Sequence, residues 1–154
     1  MTKERFEQEI LALRGMLYYV SYSLLGNPAD QDDAVQEALR RALEKRASLR
    51  EEKKLKSWLT RILVNECYNI LRRRKREVPV QALVVQVPPA ANGILFAALM
   101  AMEDRLRLPL VLHHYEGYTT REIAQILRVP EGTIKGRLVR ARKALASALN
   151  EEEG

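Results

Sequence analysis

Apolar residues recur along this chain at helical spacing, and no stretch is rich in the two-residue alternation of a half-buried strand. Phe6, Ile10, Leu13, Leu17, Val20 and Leu24 step by four and three, which predicts one long first helix. Gly26 closes it, and Asn27-Pro28 opens the next as a cap followed by proline in the first turn. That second helix is predicted over residues 28–46. Asp30, Asp32 and Asp33 stand in its first turns and Lys45 and Arg46 in its last, the distribution that a helix dipole favours. Residues 47–54 are polar and predict a loop. A third helix follows over 55–76, with Leu55, Leu59, Ile62, Leu63, Cys67, Ile70 and Leu71 as its apolar face. It ends in five consecutive cations, Arg72 to Arg76.

The pattern then lapses. Residues 78–92, VPVQALVVQVPPAAN, hold three prolines and no charge, and are read as a linker between a domain of residues 1–77 and one of residues 93–154. Fully extended, they would reach about 50 Å, enough to hold two domains well apart. Exposed valines in such a segment invite aggregation, so it is expected to lie against a partner. Beyond it, helices are predicted at 94–104 and 106–115, with Gly117 ending the latter. Thr119 and Glu122 then have the spacing of a reciprocal capping box. Ile123, Ala124, Ile126 and Leu127 supply one buried face, and Arg128-Val129-Pro130 stops the helix, because proline disfavours helical geometry in the residue before it. Ile134, Leu138, Ala141, Leu145 and Leu149 mark the last helix. The expected fold is all-α: two small helical domains joined by a linker, the C-terminal one a four-helix helix-turn-helix module.

Charge sharpens this outline. The final helix carries Lys135, Arg137, Arg140, Arg142 and Lys143, with no acid from Thr133 to Asn150. A cationic helix after a short turn suits a DNA major groove. The amides at Gly132-Thr133 offer a place for a phosphate, and Gly132 leaves the approach open. Earlier, Trp58, Arg61 and Asn65 precede Arg72, Arg73 and Arg74 on one helix. An aromatic, an amide and a cationic tail suit single-stranded or opening DNA, with affinity that falls steeply as salt rises. The plainer alternatives are a core tryptophan, a surface asparagine and a solvated helix end gaining about 1 kcal/mol of dipole energy.

Composition removes several classes. With 47% hydrophobic residues the chain is no disordered tail, and its net charge of +6 favours a polyanionic partner. The surplus lies mostly in residues 1–77, with 17 Lys/Arg against 12 Asp/Glu. A single cysteine, Cys67, excludes an internal disulfide and a cysteine-rich zinc site, and is read as a buried structural thiol. No phosphate loop and no nucleophile–base signature is present, so no enzyme, cofactor or metal is expected. His113 and His114 are adjacent, so on a helix they point about 100° apart and share no ion well. They are expected to serve packing or the surface. The start, MTKERFEQE, has no signal-peptide core, and the longest apolar run is too short to span a bilayer. The expectation is cytoplasmic residence without membrane insertion.

Three segments together bear a family likeness. LLGNPADQDDAVQEALRRAL, KSWLTRILVNECYNILRRRKR and EGYTTREIAQILRVPEGTIKGRLVRARKAL resemble, in order and over nearly the whole chain, the extracytoplasmic-function (ECF) sigma factors of bacterial transcription initiation. The resemblance implies a protein that binds core RNA polymerase, recognises the minus-ten and minus-thirty-five promoter elements and helps to open promoter DNA. Asp33, Gln36 and Glu37 would face the clamp helices of the polymerase large subunit. Trp58, Asn65 and the 47–56 loop would engage the minus-ten element, where a base leaves the stack, while Arg61, Arg72, Arg73 and Arg74 follow phosphates. Thr133, Lys135, Gly136, Arg137, Val139 and Arg140 would lie in or beside the groove at the minus-thirty-five element. An anti-sigma factor is the implied regulatory partner. Two departures stand out: Gly136 replaces the usual serine, and the 47–56 loop lacks the aromatics frequent there. A free-standing helix-turn-helix regulator is the competing reading; it leaves Asp33, Gln36, Glu37, Trp58 and Asn65 without purpose.

Overall fold

A computed structural model describes residues 1–77 and 93–153, and all regular structure among them is helical. The chain divides into two compact units, Met1–Val84 and Val85–Gly154. The segment read as a linker, 78–92, lies outside the described residues.

The first unit holds α1 (Lys3–Ala12), α2 (Arg14–Leu25), α3 (Pro28–Glu44) and α4 (Leu55–Glu77), with single 3-10 turns at Arg46–Ser48 and Glu52–Lys54. The first predicted helix is thus two. Leu13 breaks it at φ −90° and ψ 0°, its amide bonding back to Ile10 and Leu11. Phe6, Ile10, Leu17, Val20 and Leu24 are all buried on either side, so the four-three stepping runs through a break that it cannot register. The next junction is as expected. Gly26 adopts the left-handed conformation, φ 64°, and its amide donates to the Tyr22 carbonyl at 2.8 Å. The Asn27 side chain then accepts from the amides of Ala29 (2.9 Å) and Asp30 (3.2 Å).

α3 packs against both α2 and α4. Ala34, Ala38 and Ala42 recur every four residues and are fully buried, so their small side chains admit close helix approach. Leu59, Leu63 and Cys67 of α4 complete the centre. Burial pushes the Cys67 thiol up to about 12, which leaves it protonated and inert. Trp58 donates from Nε1 to Ser48 Oγ at 3.2 Å and meets Phe6 edge-on at 5.8 Å. It joins α1, the 3-10 turn and α4.

The second unit comprises α5 (Gly93–Ala101), α6 (Asp104–His114), α7 (Thr120–Leu127) and α8 (Glu131–Glu153), with α8 packed against the other three. Arg107 is 3% exposed; its guanidinium donates to the carbonyls of Leu99 (3.3 Å), Met100 (3.3 Å) and Met102 (2.7 Å) and to Asp104 (2.8 Å). It thereby satisfies the open end of α5 and stops the predicted 94–104 helix early. His113 Nδ1 lies 2.8 Å from the Tyr118 carbonyl, and Arg142 Nε donates to His114 Nε2 at 3.3 Å, so both histidines serve packing. The capping box is present in full: Thr119 Oγ1 accepts from the Glu122 amide at 3.1 Å, and Glu122 Oε1 from the Thr119 amide at 3.0 Å. The turn before α8 places Arg128 at φ 57°, and the Val129 amide reaches the Ala124 carbonyl at 3.1 Å. Ile123, Ile134, Leu138 and Ala141 lock α7 against α8 from inside.

Candidate protein and nucleic-acid interfaces

On α3 the acids expected to meet a partner differ in their freedom. Asp30 pairs with Arg74, and Asp32 is hydrogen-bonded to the Tyr18 hydroxyl, whose pKa is raised as a result. Asp33 and Gln36 are exposed, and their side chains have no ion pair or hydrogen bond among the described residues. Glu37 is held by its own helix: Arg40 donates to both its oxygens, at 3.0 and 2.6 Å, and Arg41 to Oε1 at 3.1 Å. The Arg40 and Arg41 guanidiniums keep its carboxyl far below the usual range, at about 2.

Asp33, Gln36, Glu37, Arg40 and Arg41 border an open cleft of about 690 Å³ between α3 and α4, which Glu66, Asn69 and Arg73 line from the other side. Glu66 escaped the motif reading. It is 7% exposed and accepts from Arg41 Nε at 2.8 Å, so a buried carboxylate ties α4 to α3. Its signal was available: Leu59, Leu63, Glu66 and Ile70 step by four, three and four, which puts an acid on the apolar face.

Trp58, Arg61, Asn65 and Arg72 step along α4 by three, four and seven, and therefore share one stripe. Asn65 is exposed, with no side-chain partner among the described residues. Arg61 is half-buried, and the exposed Arg72 bonds Asn69 Oδ1. Trp58 is half-buried and already committed to Phe6 and Ser48, so its ring is an element of the fold with one side at the surface. The basic run is split by helix rotation. Arg72 belongs to the stripe and Arg73 to the cleft, whereas Arg74 reaches back to Asp30 and to the Leu25 carbonyl (3.2 Å). Residues 47–56 take in the end of the first 3-10 turn, all of the second and the first two residues of α4, and Glu52 there is paired with the N-terminal amine at 3.2 Å and with Arg5 at 4.0 Å.

In the second unit, α8 turns Lys135, Val139, Arg140 and Lys143 outward. Thr133, Gly136 and Arg137 are half-buried. Val139 remains 50% exposed, an apolar group among the outward cations. Nothing lies within 4 Å of a Cβ built on Gly132, and on Gly136 only Arg140 Nη1, at 3.7 Å. The outer surface of the helix is therefore smooth and admits close approach. Arg137, Arg140 and Lys143 have no ion-pair partner among the described residues. The start of α8 is different. Glu131 Oε1 accepts from Thr120 Oγ1 at 2.8 Å and pairs with Lys135 Nζ at 3.7 Å, so a carboxylate stands where a phosphate was expected.

Among the described residues no helix is long and apolar enough to cross a membrane, and no cluster of His, Cys, Asp or Glu is arranged to hold a metal ion.

Two family models match the chain: sigma-70 region 2 over residues 10–77 and sigma-70 region 4 over residues 93–145. The ECF RNA polymerase sigma factor SigM of Mycobacterium tuberculosis is 37% identical over 128 residues, covering 78% of this chain and 64% of that protein. The chain thus spans somewhat less than two thirds of that relative's length. ECF RNA polymerase sigma factor EcfG of Rhodopseudomonas palustris is 34% identical over 155 residues, covering 95% of this chain and 86% of that protein. Among solved structures, the sigma factor RpoE in complex with the anti-sigma factor NepR, from Bartonella quintana, superposes with a TM-score of 0.85 at 30% identity. That match covers 96% of this chain and 98% of the other.

Proposed function

The chain belongs to the ECF RNA polymerase sigma factors, and from that membership we propose that it binds core RNA polymerase, recognises a two-part promoter and promotes its opening. One observation carries this reading: a single chain pairs an outward amide-and-cation stripe on α4 with an outward cationic face on α8. A free-standing regulator needs only the second.

In this reading the roles divide between the two units. Residues 1–77 dock on the polymerase through Asp33 and Gln36, whose side chains are exposed and uncommitted, and acid and amide groups of this kind suit arginines on a partner. Glu37 contributes through a carboxylate held in place by Arg40 and Arg41. At the minus-ten element, Asn65 addresses an unstacked base beside the surface side of Trp58, and Arg61, Arg72 and Arg73 follow the backbone. Arg74 serves the fold, because Asp30 and Leu25 hold it. Residues 93–154 take the minus-thirty-five element, with Lys135, Val139 and Arg140 toward the groove and Thr133, Gly136 and Arg137 at its edge. Residues 78–92 link the two. The protein performs no covalent step; the polymerase makes the phosphodiester bonds. Its place is the cytoplasm, and an anti-sigma factor, of the kind bound to RpoE, controls it by covering the polymerase-docking faces.

Run-off transcription with core enzyme on pooled host promoters tests this directly. Defined transcripts should appear with the wild-type chain, and Asp33→Ala with Gln36→Ala should weaken capture by core enzyme about tenfold while duplex binding by α8 persists. A chain that binds promoter DNA yet never competes for the sigma position on core enzyme would be a free-standing regulator.

A further inference from the structure

Glu131 is the one acid on α8 before residue 151, and it stands at the first turn of a helix that otherwise presents cations. The helix dipole stabilises a carboxylate there. Its position is set by the neighbouring helix, since the Thr120 hydroxyl in the first turn of α7 donates to Oε1 at 2.8 Å. The same oxygen lies 3.7 Å from Lys135 Nζ, although the Lys135 side chain is 66% exposed and that of Glu131 42%. Gly132, next along the helix, has open space around it. Sterically the α8 terminus could receive a DNA phosphate. Electrostatically it is occupied.

We propose that Glu131 sets DNA selectivity in the C-terminal unit by opposing phosphate at the start of α8 and by restraining Lys135 from the sugar–phosphate backbone. The proposal rests on reading α8 as the groove-entering helix. Binding to any duplex, whatever its sequence, grows with the number of phosphates that lysines and arginines neutralise. A fixed carboxylate on the approaching surface subtracts from that term on every duplex. It leaves intact the contacts that distinguish one base pair from another, such as those available to Val139 and Arg140. Selectivity is the ratio between specific and sequence-independent binding, so suppressing the latter raises it even though total affinity falls.

Glu131→Gln isolates the effect, because the amide oxygen can still accept from Thr120 while the charge is gone. Fluorescence anisotropy of the full chain with labelled random-sequence duplexes, over a potassium chloride series, is the assay. Glu131→Gln should bind these duplexes about five- to tenfold more tightly at low salt, with a salt slope steeper by about one phosphate equivalent. Preference for a duplex enriched by selection over the random pool should fall by a similar factor. Adding Lys135→Gln should cancel the gain, and Lys135→Gln alone should change the slope less than it does in the Glu131→Gln background. Thr120→Val, which keeps the charge, should leave the slope unaltered. An unchanged slope in Glu131→Gln, a gain that survives Lys135→Gln, or a Thr120→Val variant that behaves like Glu131→Gln overturns the proposal. A wild-type chain that binds duplex with no salt dependence would instead remove the reading of α8 on which it rests.

Discussion

On α3 and α4 the charged side chains are joined to one another, whereas on α8 most of them stand apart. Glu37, Arg40, Arg41, Glu44 and Glu66 form one connected set across two helices, and Arg74 with Asp30 adds a second link 44 residues apart in sequence. Arg137, Arg140 and Lys143 have no such partners among the described residues. The same residue types therefore do two jobs. In the first unit charge positions helices, and what remains for a partner is the little left unpaired, chiefly Asp33, Gln36 and Asn65. In the second unit apolar packing by Ile123, Ile134, Leu138 and Ala141 positions α8, and its cations are left for a polyanion.

The largest expected effect separates these jobs. Glu66→Ala removes a buried acceptor of Arg41, and a hydrogen bond to a charged group of this kind contributes about 2 kcal/mol. Thermal or urea unfolding of the full chain should show that loss in the first unit. Arg140→Ala should shift unfolding by less than about 0.5 kcal/mol, as for an uncommitted surface residue. A Glu66→Ala variant as stable as the wild type would mean that α3 and α4 are held by their apolar faces alone.

Next in size is the functional counterpart. Arg140→Ala should weaken binding of the upstream promoter element by about tenfold, equivalent to about 1.4 kcal/mol, with capture by core polymerase unaltered. Equal weakening on promoter and random duplex would make Arg140 a phosphate contact, and loss confined to the promoter would make it a base contact. Failure on both counts would place the groove-facing side of α8 elsewhere.

How far this division could be read from the sequence depends on the range of the interaction. Local signals were legible: the Thr119–Glu122 box, the Asn27 cap and the Gly26 stop each involve residues within four positions, and each is present. The apolar stepping also identified the buried residues of α7 and α8 and most of those of α4, whereas the buried alanines of α3 carried no such reading. It missed the break at Leu13, because the four-three stepping runs on through a single turn residue. Pro130 announced the end of α7, but not that Arg128 would take the left-handed conformation, which non-glycine residues adopt at a cost. Long-range pairing was least legible. Five adjacent cations look alike in sequence, and only the angle of α4 across α3 assigns Arg72 to a surface stripe, Arg73 to a cleft and Arg74 to Asp30. Likewise nothing local in the sequence singles out Glu131; its place is fixed by Thr120 of the neighbouring helix.

The smallest expected effect concerns acid. Hydrogen bonds from Arg40, then from Arg41, hold the Glu37 carboxyl at about 2, below its ordinary value of 4.5. A carboxyl whose folded value is depressed contributes stability that is fully present above its unfolded value and is lost as pH falls through the folded one. The stability difference between wild type and Glu37→Gln should therefore be constant at neutral pH and shrink only between 4.5 and about 2. The Glu37 side chain is 34% exposed, so solvent screens the pair and the change should be modest. Thermal melts of both proteins in a series of buffers read it out. A difference that stays flat through the acid range would show a hydrated carboxylate that titrates alike folded and unfolded, available to a partner arginine as Asp33 is. Arg140→Ala, carried through the same series, should show no such window, because no carboxylate among the described residues is held by Arg140.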